Sequence, residues 1–176
     1  MRDDILAARE KHRDLLRVAG KPPYPTWHGR THEVSDVLRT FETLADKATT
    51  ITVTGRLLAS REHGAVRFLD LRDASGRIQL FVRADEIPEE EYRLLDALDQ
   101  GDVLAATGRA VTTSAGERSI AVERWTLLAK ALSPPPDKRA GLKDEEERAR
   151  RREVDLLGNE VTRRTFHMRT AVFRAL

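Results

Sequence analysis

The chain has 176 residues, 40% of them hydrophobic, which suffices for one ordinary domain with appendages and a real core. Lys+Arg (31) and Asp+Glu (29) nearly cancel to a net charge of +2, which excludes a strong global attraction for polyanions and makes any nucleic-acid site a local one. The absence of cysteine excludes disulfides and thiolate metal sites, no stretch approaches the roughly 18 apolar residues of a membrane span, and Met1 precedes Arg-Asp-Asp rather than an export signal, so a soluble cytoplasmic protein is expected.

Residues 3–19 open on two aspartates and end at Gly20, with Pro22 and Pro23 beyond, the start and stop marks of a polar helix. From Thr31, apolar Val34, Val37, Leu38, Phe41, Leu44 and Ala45 recur at steps of three and four, predicting a second helix with one buried stripe. At Thr50 the period changes to two: Ile51, Val53, Leu57 and Ala59 alternate with polar or small neighbours, as in a half-buried strand. Strands are predicted near Val66–Asp73 and Arg77–Arg83, joined as a hairpin through Ala74-Ser-Gly76. Pro88 stands at a first helical position, followed by Glu89, Glu90 and Glu91 near the positive end of the dipole, and that helix runs to Asp99 and stops at Gly101. Strands near Asp102–Val111 and Arg118–Leu128 complete the region.

Five short strands with a helix between the third and fourth is the order of an OB-fold, the five-stranded oligonucleotide-binding β-barrel. The expected fold class is therefore mainly β with flanking helices. Ser133-Pro-Pro-Pro136 ends the barrel, because proline lacks the amide donor that a central strand or helix interior needs. The expected organisation is a helical appendage over 1–48, the barrel over 49–132, and a linker over 133–176. In that linker Lys143–Asp155 and Glu160–Leu176 read as helical, and the last segment reads as part of something longer.

Side chains on a strand alternate between faces, so Leu69 and Leu71 point one way while Phe68, Asp70 and Arg72 point the other. In the next strand Ile78, Leu80 and Val82 belong to the core, turning Arg77, Gln79 and Phe81 outward. If Arg72 pairs with Arg77 across the turn, Asp70 faces Gln79 and Phe68 faces Phe81. Two rings among guanidinium, amide and carboxylate groups suit single-stranded nucleic acid: rings stack on unpaired bases, and Gln and Arg bond exposed base edges. The same alternation also allows the rings to cover a barrel end beneath the first two helices.

Several stretches resemble bacterial lysyl-tRNA synthetases, the class II family: Val53-Thr-Gly-Arg56, Phe68-Leu-Asp-Leu-Arg-Asp73, Ser75-Gly-Arg-Ile-Gln-Leu80, Leu98-Asp-Gln-Gly-Asp102 and Leu127-Leu-Ala-Lys-Ala-Leu132, then Gly141-Leu-Lys-Asp144. The resemblance covers essentially the whole chain and implies the amino-terminal, anticodon-binding region of that family. By position it implies that Phe68 stacks on an anticodon uracil, Gln79 bonds its edge, Arg61 belongs to the first inter-strand loop and Glu117 to the last. The implied partner is a lysine tRNA, with a homodimer or a synthetase-related protein as further partners.

The sequence also departs from the family pattern. Ala65 and Ser114 stand where lysines are usual, removing two phosphate contacts, and Ala149 and Glu153 replace the usual tyrosine pair of the linker. These departures keep open a freestanding paralogue that serves a protein partner or other single-stranded RNA. The arginine-bearing and Gly-rich motifs of the class II catalytic domain do not occur in the 176 residues, so no catalysis is expected of this chain alone. ATP and Mg belong to that catalytic domain, and no cofactor is expected here; a chain continuing into such a domain would be a lysine-tRNA ligase. His28 and His32 have helical metal-ligand spacing, but Gly29 and the nearby prolines argue against a helix there, so no metal site is expected. The run Asp144–Glu147 followed by Arg148–Arg152 reads as an internally paired, solvated face.

Overall fold

The computed structural model describes residues 2–26, 29–135, 142 and 144–176. They form two compact units, Met1–Ser133 and Pro134–Leu176.

In the first unit the elements are α1 (Arg2–Val18), α2 (Val34–Arg39), α3 (Phe41–Asp46), β1 (Thr50–His63), β2 (Val66–Arg72), β3 (Arg77–Arg83), α4 (Glu89–Arg93) with a 3₁₀ turn at Leu94–Ala97, β4 (Val103–Thr112) and β5 (Arg118–Ala129). The five strands close into a barrel in the order β1-β2-β3-β5-β4. All pairings are antiparallel except the closing one, where β3 runs parallel to β5 through Gln79↔Ser119, Leu80↔Ile120 and Phe81↔Ala121. The inward residues Ile51, Val53, Leu57, Leu69, Leu71, Ile78, Leu80, Leu104, Ile120 and Leu127 fill the interior. At Gly108, where the β4–β5 register shifts, the strands approach so closely that a Cβ would lie 1.8 Å from the Ala121 carbonyl oxygen.

The stripe from Val34 to Ala45 is real, but it lies on two short helices rather than one. The Thr40 hydroxyl donates to the Asp36 carbonyl at 2.8 Å, and Thr40 leaves helical geometry at φ −108, ψ 19. Such back-bonding competes with the backbone ladder and bends helices, while Val34, Val37, Phe41 and Leu44 stay buried on both sides of the bend. α3 then ends in a Schellman-type turn, with Thr49 N–H donating to Leu44 O, Ala48 N–H to Ala45 O, and Ala48 itself left-handed at φ 46. The helix after Pro88 likewise tightens: Pro88 precedes the first helical residue, and after Arg93 the chain continues as a 3₁₀ turn that buries Leu95 and Ala97.

A polar cluster fastens α1 to the barrel. The fully buried Lys130 ammonium donates to Asp99 (2.6 Å), Asp102 (2.8 Å) and the Ala97 carbonyl (2.7 Å), while His12 of α1 meets Asp99 at 3.0 Å. Burial alone raises the Asp99 carboxyl, but the hydrogen bonds from Lys130 and His12 outweigh it and hold the group below its ordinary range. Arg9 donates to the Ala131 carbonyl at 2.6 Å, and Leu16 is fully buried.

The second unit comprises α5 (Glu145–Arg150), α6 (Arg152–Gly158) and α7 (Glu160–Ala175). The charge run breaks at Arg151 (φ −113, ψ 55), and its arginines are paired: Arg150 with Glu146, Arg151 with Glu147, and both Arg148 and Arg152 with the buried Asp155. Asp155 also accepts the Thr162 hydroxyl at 2.9 Å, joining α6 to α7.

Candidate nucleic-acid interface

The β2–β3 hairpin has the register that alternation predicts, Phe68↔Phe81, Asp70↔Gln79 and Arg72↔Arg77. Its turn is set by Asp73. One carboxylate oxygen accepts the amides of Ser75 (2.7 Å) and Gly76 (2.8 Å) and the Ser75 hydroxyl, and the other accepts the Val34 amide at 2.9 Å, capping α2. Burial by itself raises this carboxyl, but the converging donors prevail and hold it below the ordinary range.

On the outward face lies a groove of about 490 Å³ lined by Arg61, Phe68, Asp70, Arg77, Gln79, Phe81 and Glu117, together with His63, Thr113, Ser114 and Ala115. The fold thus gathers every residue that the sequence singled out as a candidate for RNA contact. Phe68 and Phe81 are half-buried, with ring centroids 5.5 Å apart and planes tilted by 39°. Their faces are of the kind that stack on bases. Arg61 sits inside β1, opposite Phe68, because that strand runs past Ala59 to His63; the register shift between Leu57 and Ala59 hides the extension from a period-two reading. Glu117 is presented by the β4–β5 turn, where Gly116 at φ 79 reverses the chain and the Thr113 amide donates to the Glu117 carbonyl at 3.0 Å.

The polar groups differ in exposure. Asp70 is only 5% exposed, and its two oxygens accept Arg77 at 2.7 Å and Arg61 at 3.4 Å. It holds two exposed guanidinium groups at the groove. Gln79 is held from behind by the buried Ser119 hydroxyl, 2.9 Å from its Oε1. Ser119 and His63 escaped the sequence reading. Ser119 meets Gln79 only through the parallel closing pair, which has no local signature, and His63 lies in the unrecognised end of β1.

Arg67 shares the face of the leucines yet is an arginine, 5% exposed, bonded to Glu62 (2.8 Å) and Asp96 (2.5 Å) beside the Tyr92 ring. It closes the barrel end rather than serving the groove. Of the suggested histidine pair, His28 lies outside the described residues, and among the described residues no cluster of three metal-ligating side chains occurs. Among the described residues no helix is long and apolar enough to cross a membrane.

Comparison with known proteins gives this groove a context. Residues 51–128, which include all five strands but their outermost residues, match the tRNA anticodon family, described as an OB-fold nucleic acid binding domain. Over 99% of its length the chain is similar to lysine–tRNA ligases, with 36% identity to that of Carboxydothermus hydrogenoformans, 38% to that of Chloroflexus aurantiacus and 35% to that of Bacillus subtilis. It spans about a third of the length of these relatives (35%, 36% and 36%). The chain therefore belongs to the OB-fold anticodon-binding family, in the form found in lysyl-tRNA synthetases.

Proposed function

We propose that the chain binds the anticodon loop of a lysine tRNA in the groove between the β2–β3 hairpin and the β4–β5 turn. The observation that carries the reading is the presence of Phe68 and Gln79 on one wall of one groove. An unpaired uracil stacks on Phe68, the Gln79 amide bonds its edge, and Arg61, Arg77 and Glu117 border it. A misplaced base leaves polar edges unpaired, which costs more than the matched bond gains. The binding needs no cofactor; in a protein that continues into a class II catalytic domain, ATP and Mg act there and this region selects the tRNA. The proposed setting is the cytoplasm, with a homodimer or a synthetase-related protein as further partner.

Titration with a lysine-tRNA anticodon stem-loop tests the reading. Loss of one stacking contact is worth about 1 to 3 kcal/mol, so Phe68→Ala weakens binding by roughly five- to 150-fold, and Gln79→Ala weakens it less. Unchanged affinity in both variants sinks the assigned face. A second reading, a freestanding relative that serves a protein partner, draws on Ala65 and on Ser114 in the groove wall, where the family pattern has lysines. In that case a protein is retained at moderate salt and the stem-loop is not.

A further inference from the structure

Arg61, Phe68, Phe81 and Ala121 occupy one rung that runs across β1, β2, β3 and β5. The first three of them line the groove. The reading above gives Phe68 a base and leaves Phe81 without one. Yet the second ring is also only half-buried, and its neighbour on β5 carries no more than a methyl group. The two ring planes are tilted by 39°, with centroids 5.5 Å apart. A base stacks by lying nearly parallel to a ring, so a base parallel to Phe68 meets Phe81 at that tilt and cannot lie flat on both. Bases in a continuous stack follow one another at about 3.4 Å. The wider spacing of the rings suits neighbouring bases drawn out of their own stack.

We propose that Phe81 is a second stacking platform, so that the groove holds two consecutive unpaired nucleotides of an RNA loop, one base on each ring and neither stacked on the other. The inference rests on the reading of this groove as the RNA site and adds to it a second nucleotide and a second ring. The sugar–phosphate strand then crosses β2 and β3 along the rung instead of following either strand. Stacking is indifferent to base identity, since every base has a π-face. The second position therefore adds affinity and fixes the path of the RNA without reading its sequence. A ring that only props Phe68 behaves differently: its effect passes through Phe68 and vanishes when that ring is gone, whereas a separate platform keeps its effect.

The test uses fluorescence anisotropy with the 176-residue chain, a lysine-tRNA anticodon stem-loop, and the same loop with the base removed at each loop position in turn. In wild type, removal at two or more neighbouring positions weakens binding, each by about fivefold or more, the lower worth of one stacked base. Phe81→Leu, which keeps the position apolar, weakens the intact loop by a similar factor and makes binding insensitive to one of these abasic sites. Phe68→Leu does the same at the neighbouring site. Sensitivity at one position only overturns the inference, as does a Phe81→Leu change that has no effect once Phe68 is replaced by leucine. If Phe81→Leu does not fold, the wild-type abasic series decides alone. Binding that Phe68→Leu weakens and Phe81→Leu leaves unaltered removes the inference and keeps the site. Binding that Phe68→Leu leaves unaltered removes the site, and the inference falls with it.

Discussion

Asp70 and Arg77 meet at 2.7 Å diagonally across the β2–β3 ladder, two rungs from Asp70↔Gln79, and the other carboxylate oxygen takes Arg61 at 3.4 Å. The two cations bordering the groove thus share one largely covered anion, and Glu117 adds another negative charge. A charge balance of this kind favours stacking and base-edge contacts over phosphate contacts.

The groove's affinity for an anticodon stem-loop should accordingly vary little with salt, with a log–log slope of about −1, near that of one or two single-strand phosphates at about 0.7 each. Asp70→Asn releases both guanidinium groups and steepens the slope by about 0.7 for each that turns to phosphate. Anisotropy across a salt series measures both, and parallel slopes would contradict this account.

Ala48 occupies a left-handed position at φ 46, where a Cβ is unfavourable and glycine is the usual residue. Ala48→Gly should stabilise the barrel unit by about 1 kcal/mol, the left-handed penalty less the added flexibility of the unfolded chain. Urea unfolding should show a higher midpoint with an unchanged slope.

Gly108 permits the opposite experiment. Its added Cβ would sit 1.8 Å from Ala121 O and 2.8 Å from Ala121 C, both backbone atoms that cannot rotate away. Gly108→Ala should cost more than about 3 kcal/mol by forcing β4 from β5. A normal melting temperature for this variant would show that the strands are not so closely apposed.

The Lys130 cluster is sensitive to truncation. Lys130→Met leaves the unexposed Asp102 without its cation, and breaking a buried pair from one side costs about 3 to 5 kcal/mol. Adding Asp102→Asn should recover part of the loss, and a double-mutant cycle by thermal unfolding reads the coupling.

Asp73 gives the acid behaviour. Its folded carboxyl titrates below the ordinary 3.8, so its stabilisation is complete above that value and is lost as pH falls through the depressed folded value. Asp73→Ala should cost about 2 kcal/mol at neutral pH through the lost cap and turn. That gap should narrow below about pH 4 as the wild type loses the same bonds. A gap constant down to pH 2 would assign the stabilisation to packing.

The barrel and the outward face of its β2–β3 hairpin were legible because period-two alternation fixes both face and register: once Arg72 opposes Arg77, Phe68 must oppose Phe81. What escaped the sequence depended on side chains overriding the backbone pattern or on contacts between distant segments. The Thr40 bend leaves the apolar stripe intact and so leaves no mark in its spacing. Lys130, the Asp99–Asp102 turn and His12 come from three separate segments, each with ordinary polar residues. Arg67 broke the rule that a core-facing strand position is apolar, because Glu62 and Asp96 meet its charge at the barrel end.

The parallel seam between β3 and β5 joins residues 40 positions apart in the chain, and the same rungs that close the barrel bring Gln79 and Phe81 beside Ser119 and Ala121. A chain whose seam has parted retains the hairpin but separates it from the β4–β5 turn that lines the other side of the groove. A ligand that binds only the closed cylinder should therefore stabilise this seam, and an oligonucleotide held in the groove is expected to slow hydrogen exchange first at the seam amides, although none of those backbone groups need touch it.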